Sequence, residues 1–266
     1  MRVVVTRPKE DAARWVKTFA QHGIDAISLP LIEIRPAADT GAMLAAWRDL
    51  ARFAALMFVS AAAVQHFFAD ASGAARNWPA GTVTRAWAPG PGTAAVLMRH
   101  GVPARQIDAP APDSGQFDSE ALWRKVGPSV GPGQRVLIVR GSDRDPADAS
   151  EGANRGQGRD WLAQRLTDAG VRVDFLVAYR RAAPAQLQLR QAIAELEASR
   201  ACLWLFSSSQ AIDNLTQVVP AHDWSASKAL VTHPRIGVAA HAAGFGVVQE
   251  SRPALDDVVA SIKSLP

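Results

Sequence analysis

Four turns in this chain place small or hydroxyl-bearing residues directly after an apolar, strand-like run. Val59-Ser60-Ala61 and Phe206-Ser207-Ser208-Ser209 form one matching pair. Pro89-Gly90-Pro91-Gly92-Thr93 and Ile236-Gly237-Val238-Ala239-Ala240 form the other. A strand-to-helix turn leaves backbone N–H groups without helical partners and points the positive end of a helix outward. Small side chains let an anion approach that backbone closely. Ser and Thr also serve at such turns as ordinary helix N-caps. The occurrence of the turns in pairs favours a shared anion site. Arg7 and Arg140 stand at equivalent ends of two strand-like runs, Val3–Thr6 and Val136–Val139. There a guanidinium can grip a carboxylate bidentately, or else pair with a local Asp or Glu. Tyr179, the single tyrosine, lies in an extended, Pro-punctuated segment. It suits a hydrogen-bond or proton donor, or a packing residue with a hydrogen-bonded tip.

Other chemistries lack their signatures. The chain has no Gly-x-x-x-x-Gly-Lys-Ser/Thr phosphate loop, no Gly-x-Ser-x-Gly elbow and no strand–Gly-x-Gly-x-x-Gly–helix unit. Its six histidines have no metal-ligand spacing with carboxylates. The single cysteine, Cys202, excludes an internal disulfide and a cysteine zinc site, and it lies in an apolar run that reads as core.

The elements that must position these residues recur. Leu56-Met57-Phe58-Val59-Ser60 returns as Leu203-Trp204-Leu205-Phe206-Ser207, and Gln21–Asp25 returns at the same spacing as Asp168–Arg172. Pro89-Gly90 falls opposite Ile236-Gly237 at that spacing. Arg7 and Arg140 pair at a shorter one, which implies an insertion between Arg140 and Trp161. A two-fold repeat in 266 residues means two similar domains, and a cleft between domains is a favoured ligand site. Apolar runs predict strands at Val3–Thr6, Asp25–Leu29, Ala55–Val59, Arg85–Ala88, Val136–Val139, Val171–Val177, Cys202–Phe206 and Arg235–Ala239. Amphipathic stretches between them predict helices, and the alternation predicts parallel sheets covered on both faces. The simplest arrangement is two flavodoxin-like α/β domains with a discontinuous first domain. That domain comprises 1–29 and 185–266, and 38–173 is inserted in it. The segments 30–37 and 174–184 form a two-stranded β-ladder link. Ser142–Gly158, rich in Gly, Asp and Ser, predicts a solvated loop or a lid.

Composition narrows the partners. With 48% hydrophobic residues the chain can bury two cores. The net charge of +4 tilts it toward an acidic partner, but the basic residues are spread rather than massed, which argues against nucleic acid. No apolar run approaches the roughly 20 residues of a membrane span, and no signal-peptide pattern precedes Arg2. A cytoplasmic monomer that does not engage membrane is expected.

An ordered set of segments carries a resemblance. Val4-Val5-Thr6-Arg7-Pro8, Leu29-Pro30-Leu31-Ile32-Glu33-Ile34, Phe58-Val59-Ser60-Ala61-Ala62-Ala63-Val64 and Gly90-Pro91-Gly92-Thr93-Ala94 are followed by Val139-Arg140-Gly141, Gly158–Leu162, Val177-Ala178-Tyr179-Arg180 and Phe206-Ser207-Ser208. Together they resemble the uroporphyrinogen-III synthase family along nearly the whole chain. The resemblance implies the discontinuous two-domain fold. It implies the substrate hydroxymethylbilane, a linear tetrapyrrole with eight carboxylates, and no cofactor or metal. It implies a lyase reaction of tetrapyrrole (haem) biosynthesis: dehydration and ring closure with inversion of ring D. By position, Tyr179 matches the link tyrosine that assists departure of the hydroxyl. Ser60, Gly92, Thr93, Ser207 and Ser208 match turn residues that hold carboxylates, and Arg7 and Arg140 match basic positions near them. Gly237–His241 departs from the pattern, lacking the hydroxyl of its counterpart Thr93. A non-catalytic tetrapyrrole- or anion-binding protein of the same fold stays open, as does a sugar-nucleotide transferase, though the latter lacks a nucleotide carboxylate.

Overall fold

The computed structural model describes residues 1–37, 39–69, 76–111, 119–142, 157–198 and 202–265. The chain begins β1 (Arg2–Val5), α1 (Lys9–Gln21), β2 (Ala26–Ser28), β3 (Glu33–Pro36) and α2 (Thr40–Arg48). It continues β4 (Ala55–Phe58), α3 (Ala61–Phe68), β5 (Arg85–Trp87), α4 (Pro91–Arg99), β6 (Ile107–Asp108), α5 (Ser119–Val126) and β7 (Arg135–Ser142). Then follow α6 (Gln157–Asp168), β8 (Arg172–Ala182), α7 (Gln186–Ala198), β9 (Cys202–Phe206) and α8 (Ser209–Val218). The last elements are β10 (Lys228–Val231), α9 (Pro234–Ala242), β11 (Val247–Glu250) and α10 (Leu255–Lys263). The loop-or-lid expectation for Ser142–Gly158 falls mostly outside the described residues.

These elements divide into two compact units, Met1–Glu33 with Ala182–Pro266, and Ile34–Arg181. The sheet of the first unit has the order β2-β1-β9-β10-β11, every pair parallel. The second sheet runs β8-β7-β4-β5-β6, again parallel, with β3 added beside β8. Both follow the doubly wound flavodoxin order. In the second unit β7 and β8 hold the places of β1 and β2, and β4 to β6 hold those of β9 to β11. The repeat is therefore permuted: the strands that come first in one unit come last in the other. Both chain crossings between units fall in neighbouring strands, β3 and β8.

Burial follows from doubly covered parallel sheets. Ala55–Phe58 and Cys202–Phe206 are buried at every position, which is why they read as continuous apolar runs. On one face of the second sheet Phe58, Phe67, Phe68 and Trp78 form the core. On the other, Met57, Trp87, Leu122, Ile138 and Leu162 do. Cys202 is a buried core thiol whose Sγ lies 3.6 Å from the Leu196 carbonyl. Gly23 and Gly170 end α1 and α6 in left-handed conformation, φ 73° and 76°.

One strand was predicted in the wrong place. Arg235–Ala239 lies inside helix α9, and the strand is β10, Lys228–Val231. Pro234 takes the first helical position, and the His233 side chain caps the helix by accepting the Arg235 N–H at 3.1 Å. Ile236, Gly237 and Ala240 bury one helical face. Gly90-Pro91 thus corresponds to His233-Pro234, which corrects the pairing of Pro89-Gly90 with Ile236-Gly237. Ile236–Ala240 is not a strand-to-helix turn; in the corrected alignment Thr93 falls opposite Ile236, so the missing hydroxyl persists at that position. The real turn carries a hydroxyl residue, the buried Thr232.

Beside the second unit's β5, Asp108 is buried beneath a local network. Arg85 grips it with two nitrogens, and Trp87 donates its indole N–H to it at 3.1 Å. Asp108→Ala should destabilise the protein by about 2–3 kcal/mol, because the buried indole N–H loses its acceptor while Arg85, partly exposed, regains water. Urea unfolding checks this; a change under about 0.5 kcal/mol would contradict it.

Candidate active site

In each unit several of the predicted site residues stand where the sheet reverses its winding, while Gly92 and Thr93 follow β5 beside it. The first unit's switch point lies between β1 and β9, which pair with Val5 opposite Leu205. Arg7 follows β1 and Ser207 follows β9. The second unit's switch point lies between β7 and β4, paired with Val139 opposite Phe58. Arg140 and Gly141 lie in the end of β7, and Ser60 follows β4. Connections leave such a point in opposite directions, and the gap at the strand C-termini is where open α/β sheets bind ligands.

In the second unit, Ser60 takes extended backbone at the N-cap of α3, and its Oγ accepts the Ala63 N–H at 3.2 Å. The same Oγ lies 3.1 Å from the Tyr179 hydroxyl. Tyr179 is 4% exposed, on β8. A register shift brings it there: Arg140 pairs with Val177, but Gly141 pairs with Tyr179. The extra residue is Ala178, so alternation breaks and Ala178 and Tyr179 join the same core cluster. The ring of His66 stacks at 5.8 Å and 23° from the phenol ring. Gly141 supplies the seat. A Cβ there would collide with Cζ of the Tyr179 ring. The guanidinium of Arg140 lies 4.6 Å from the Phe175 ring, a half-exposed aromatic on β8.

The turn after β5 is built differently. Gly90 is the N-cap of α4 and offers no side-chain cap, and Pro91 has no N–H. Helical bonding supplies no partner for the Gly92 and Thr93 amides. Thr93 is buried, whereas a Cβ on Gly92 would meet nothing within 4 Å. Gly92 therefore marks the open approach to these amides, and it is the position at which to block it. Gly92→Phe should fold normally yet weaken the binding of a polycarboxylate ligand at least ten-fold, about the loss of one net hydrogen bond to an anion. Calorimetric affinity equal to that of the unsubstituted protein would remove this turn from the site.

The first unit holds its site residues with less internal bonding. Thr6 Oγ1 donates to the Leu205 carbonyl at 2.7 Å and fixes the end of β1. Beyond it the Arg7 guanidinium lies 3.9 Å over the Trp15 ring and 3.8 Å from Asp11. Burial is the main influence on Arg7 and lowers its pKa to about 10, against the pull of Asp11. It stays cationic at neutral pH. Arg7 Nε, Ser207 Oγ and Gln210 Oε1 are buried without hydrogen-bond partners among the described residues. Ser208 is the N-cap of α8, but its side chain makes no capping bond. The N-cap counterpart of Ser60 is thus Ser208, not Ser207: Ser60 is engaged by helix and tyrosine, whereas Ser208 makes no capping bond and the Ser207 hydroxyl has no partner among the described residues. Sequence reasoning passed over Gln210 and His66. Gln210 sits one residue into α8 and His66 on α3, and neither position carries a recognisable motif.

Among the described residues no group of three or more His, Cys, Asp or Glu could hold a metal ion. No described helix is long and apolar enough to cross a membrane.

Two doubly wound α/β units, each with hydroxyl and cationic residues at its switch point, define a two-unit α/β protein whose chemistry-bearing residues stand where such sheets bind ligands. The sequence pattern of the Uroporphyrinogen-III synthase HemD family matches residues 13–260, and the chain belongs to that family. A uroporphyrinogen-III synthase of Chlorobaculum parvum (strain DSM 263 / NCIMB 8327) is 35% identical over 146 residues, 53% of either chain, so the match spans about half the length of that curated relative. Two solved structures share the fold. The uroporphyrinogen-III synthetase of Helicobacter pylori 26695 has a TM-score of 0.60 at 14% identity, covering 100% of both chains. A substituted uroporphyrinogen III synthase of the extremely thermophilic bacterium Thermus thermophilus has 0.55 at 16% identity, covering 99% of this chain and 97% of its own.

Proposed function

We propose that this protein converts hydroxymethylbilane to uroporphyrinogen III. The observation that carries the reading is the Tyr179 hydroxyl, ordered by Ser60 at the switch point of a family member. The reaction expels water and transfers no electrons overall. The terminal C–O bond breaks and its electron pair leaves with oxygen, which takes the Tyr179 proton. An azafulvene-like cation remains. The substituted α-carbon of ring D attacks it, the spiro intermediate fragments, and the ring recloses the other way round. The pyrrole carbon that closes the macrocycle loses the final proton.

The protein's main task is to hold a flexible chain in the reactive shape. Eight carboxylates suit the groups available. Arg7, Ser207, Ser208 and Gln210 in one unit, and Gly92, Thr93 and Arg140 in the other, offer cationic or hydrogen-bonding contacts. The test is turnover of hydroxymethylbilane by chelator-treated protein. Full activity is expected; activity lost on chelation and restored by a metal would overturn the cofactor-free reading.

A further inference from the structure

We propose that Ser60 is a positioning residue for Tyr179 rather than a ligand of a substrate carboxylate. Its hydroxyl donates to the phenolic oxygen while that oxygen surrenders its proton to the departing hydroxyl. This rests on the reaction proposed above.

The argument is one of hydrogen-bond capacity. A serine hydroxyl has one proton to give and two lone pairs. One lone pair of Ser60 Oγ takes the Ala63 N–H. The 3.1 Å contact to Tyr179 can run in either direction. If tyrosine donates, its proton is engaged on Ser60 and is not offered to substrate. If serine donates, the phenolic proton is free to leave, and Ser60 has no proton left for a carboxylate. Holding a carboxylate and supporting proton transfer therefore exclude one another. Two features favour donation by serine during reaction. An N–H bonded to Oγ polarises its O–H toward the phenolic oxygen, and the positive end of α3 favours negative charge developing there.

The step balances. The C–O bond of the hydroxymethyl group breaks, and its pair and the phenolic proton leave as water. The tyrosinate is held by the Ser60 O–H. The proton lost at ring closure restores the phenol.

The test is a double-mutant cycle on the full chain, read by kcat and KM for hydroxymethylbilane, with thermal melts alongside. Ser60→Ala should slow turnover roughly 10- to 100-fold, the worth of one hydrogen bond to a charged oxygen, with KM little changed. In a Tyr179→Phe background the same substitution should cost less than about three-fold, because the oxygen it serves is gone. Ser60→Thr should restore the rate. Ser60→Asp keeps a cap for α3 but has no proton to give, and should be at least as slow as Ser60→Ala; it serves should Ser60→Ala fail to fold. Equal losses in both backgrounds, or a raised KM with kcat kept, would overturn the role. Wild-type protein that leaves hydroxymethylbilane unconverted would overturn the reaction itself, and this role with it.

Discussion

Tyr179→Phe is expected to slow single turnover of hydroxymethylbilane by roughly ten- to a thousand-fold, within or somewhat below the range for a positioned proton donor. The fold should survive. The ring keeps its seat on Gly141 and its stack on His66, and only the bond to Ser60 is lost, worth about 1 kcal/mol. Activity should not vanish, because the bilane sheds its hydroxyl readily and the rest of the site still orders the chain. Enzymatic product should remain the type III isomer, with type I accumulating beside it from unassisted closure. Wild-type turnover in this variant would make Tyr179 a packing residue.

A comparable loss is expected from Gly141→Ala, a residue that touches no substrate in this account. The new methyl carbon would stand 2.5 Å from Tyr179 Cε2 and 2.9 Å from its hydroxyl oxygen. Tyr179 is buried and its ring stacks on His66, so accommodating the methyl must move the ring and disturb its bond to Ser60. Overpacking of this kind costs about 1–3 kcal/mol, and turnover should fall at least as far as in Tyr179→Phe. Melting temperature and single-turnover rate together check both losses. Gly141→Ala with wild-type rates would show that the tyrosine needs no such seat.

The sequence announced most elements wherever pattern and length agreed. The buried strands around Phe58 and Leu205 were plain from unbroken apolar runs, and the expected Ala55–Val59 and Cys202–Phe206 match β4 and β9 within a residue. It misled at Ile236–Ala240, five small and apolar residues too short for their period to separate strand from helix. There the repeat was aligned on Pro89-Gly90, and the four-residue strand Lys228–Val231 went unseen. Tyr179, Ser60 and Arg7 stood out by residue type and position. What remained hidden was contact across distance in the chain. Ser60 and Tyr179 are 119 residues apart, and their meeting depends on one residue of register shift beside Gly141. No local pattern encodes that shift. The different bonding of Ser60 and Ser207 was equally invisible, because both follow a buried strand and precede a helix.

The central claim is that this chain turns ring D of hydroxymethylbilane round as it closes the macrocycle. The most direct measurement is the isomer composition of product formed from fresh hydroxymethylbilane, oxidised to porphyrin and resolved by chromatography, with and without the purified protein. The account predicts that the type III isomer dominates in its presence and type I in its absence. Type I product at the unassisted rate, despite tight binding of the bilane, would contradict it and leave a tetrapyrrole-binding protein of the same fold.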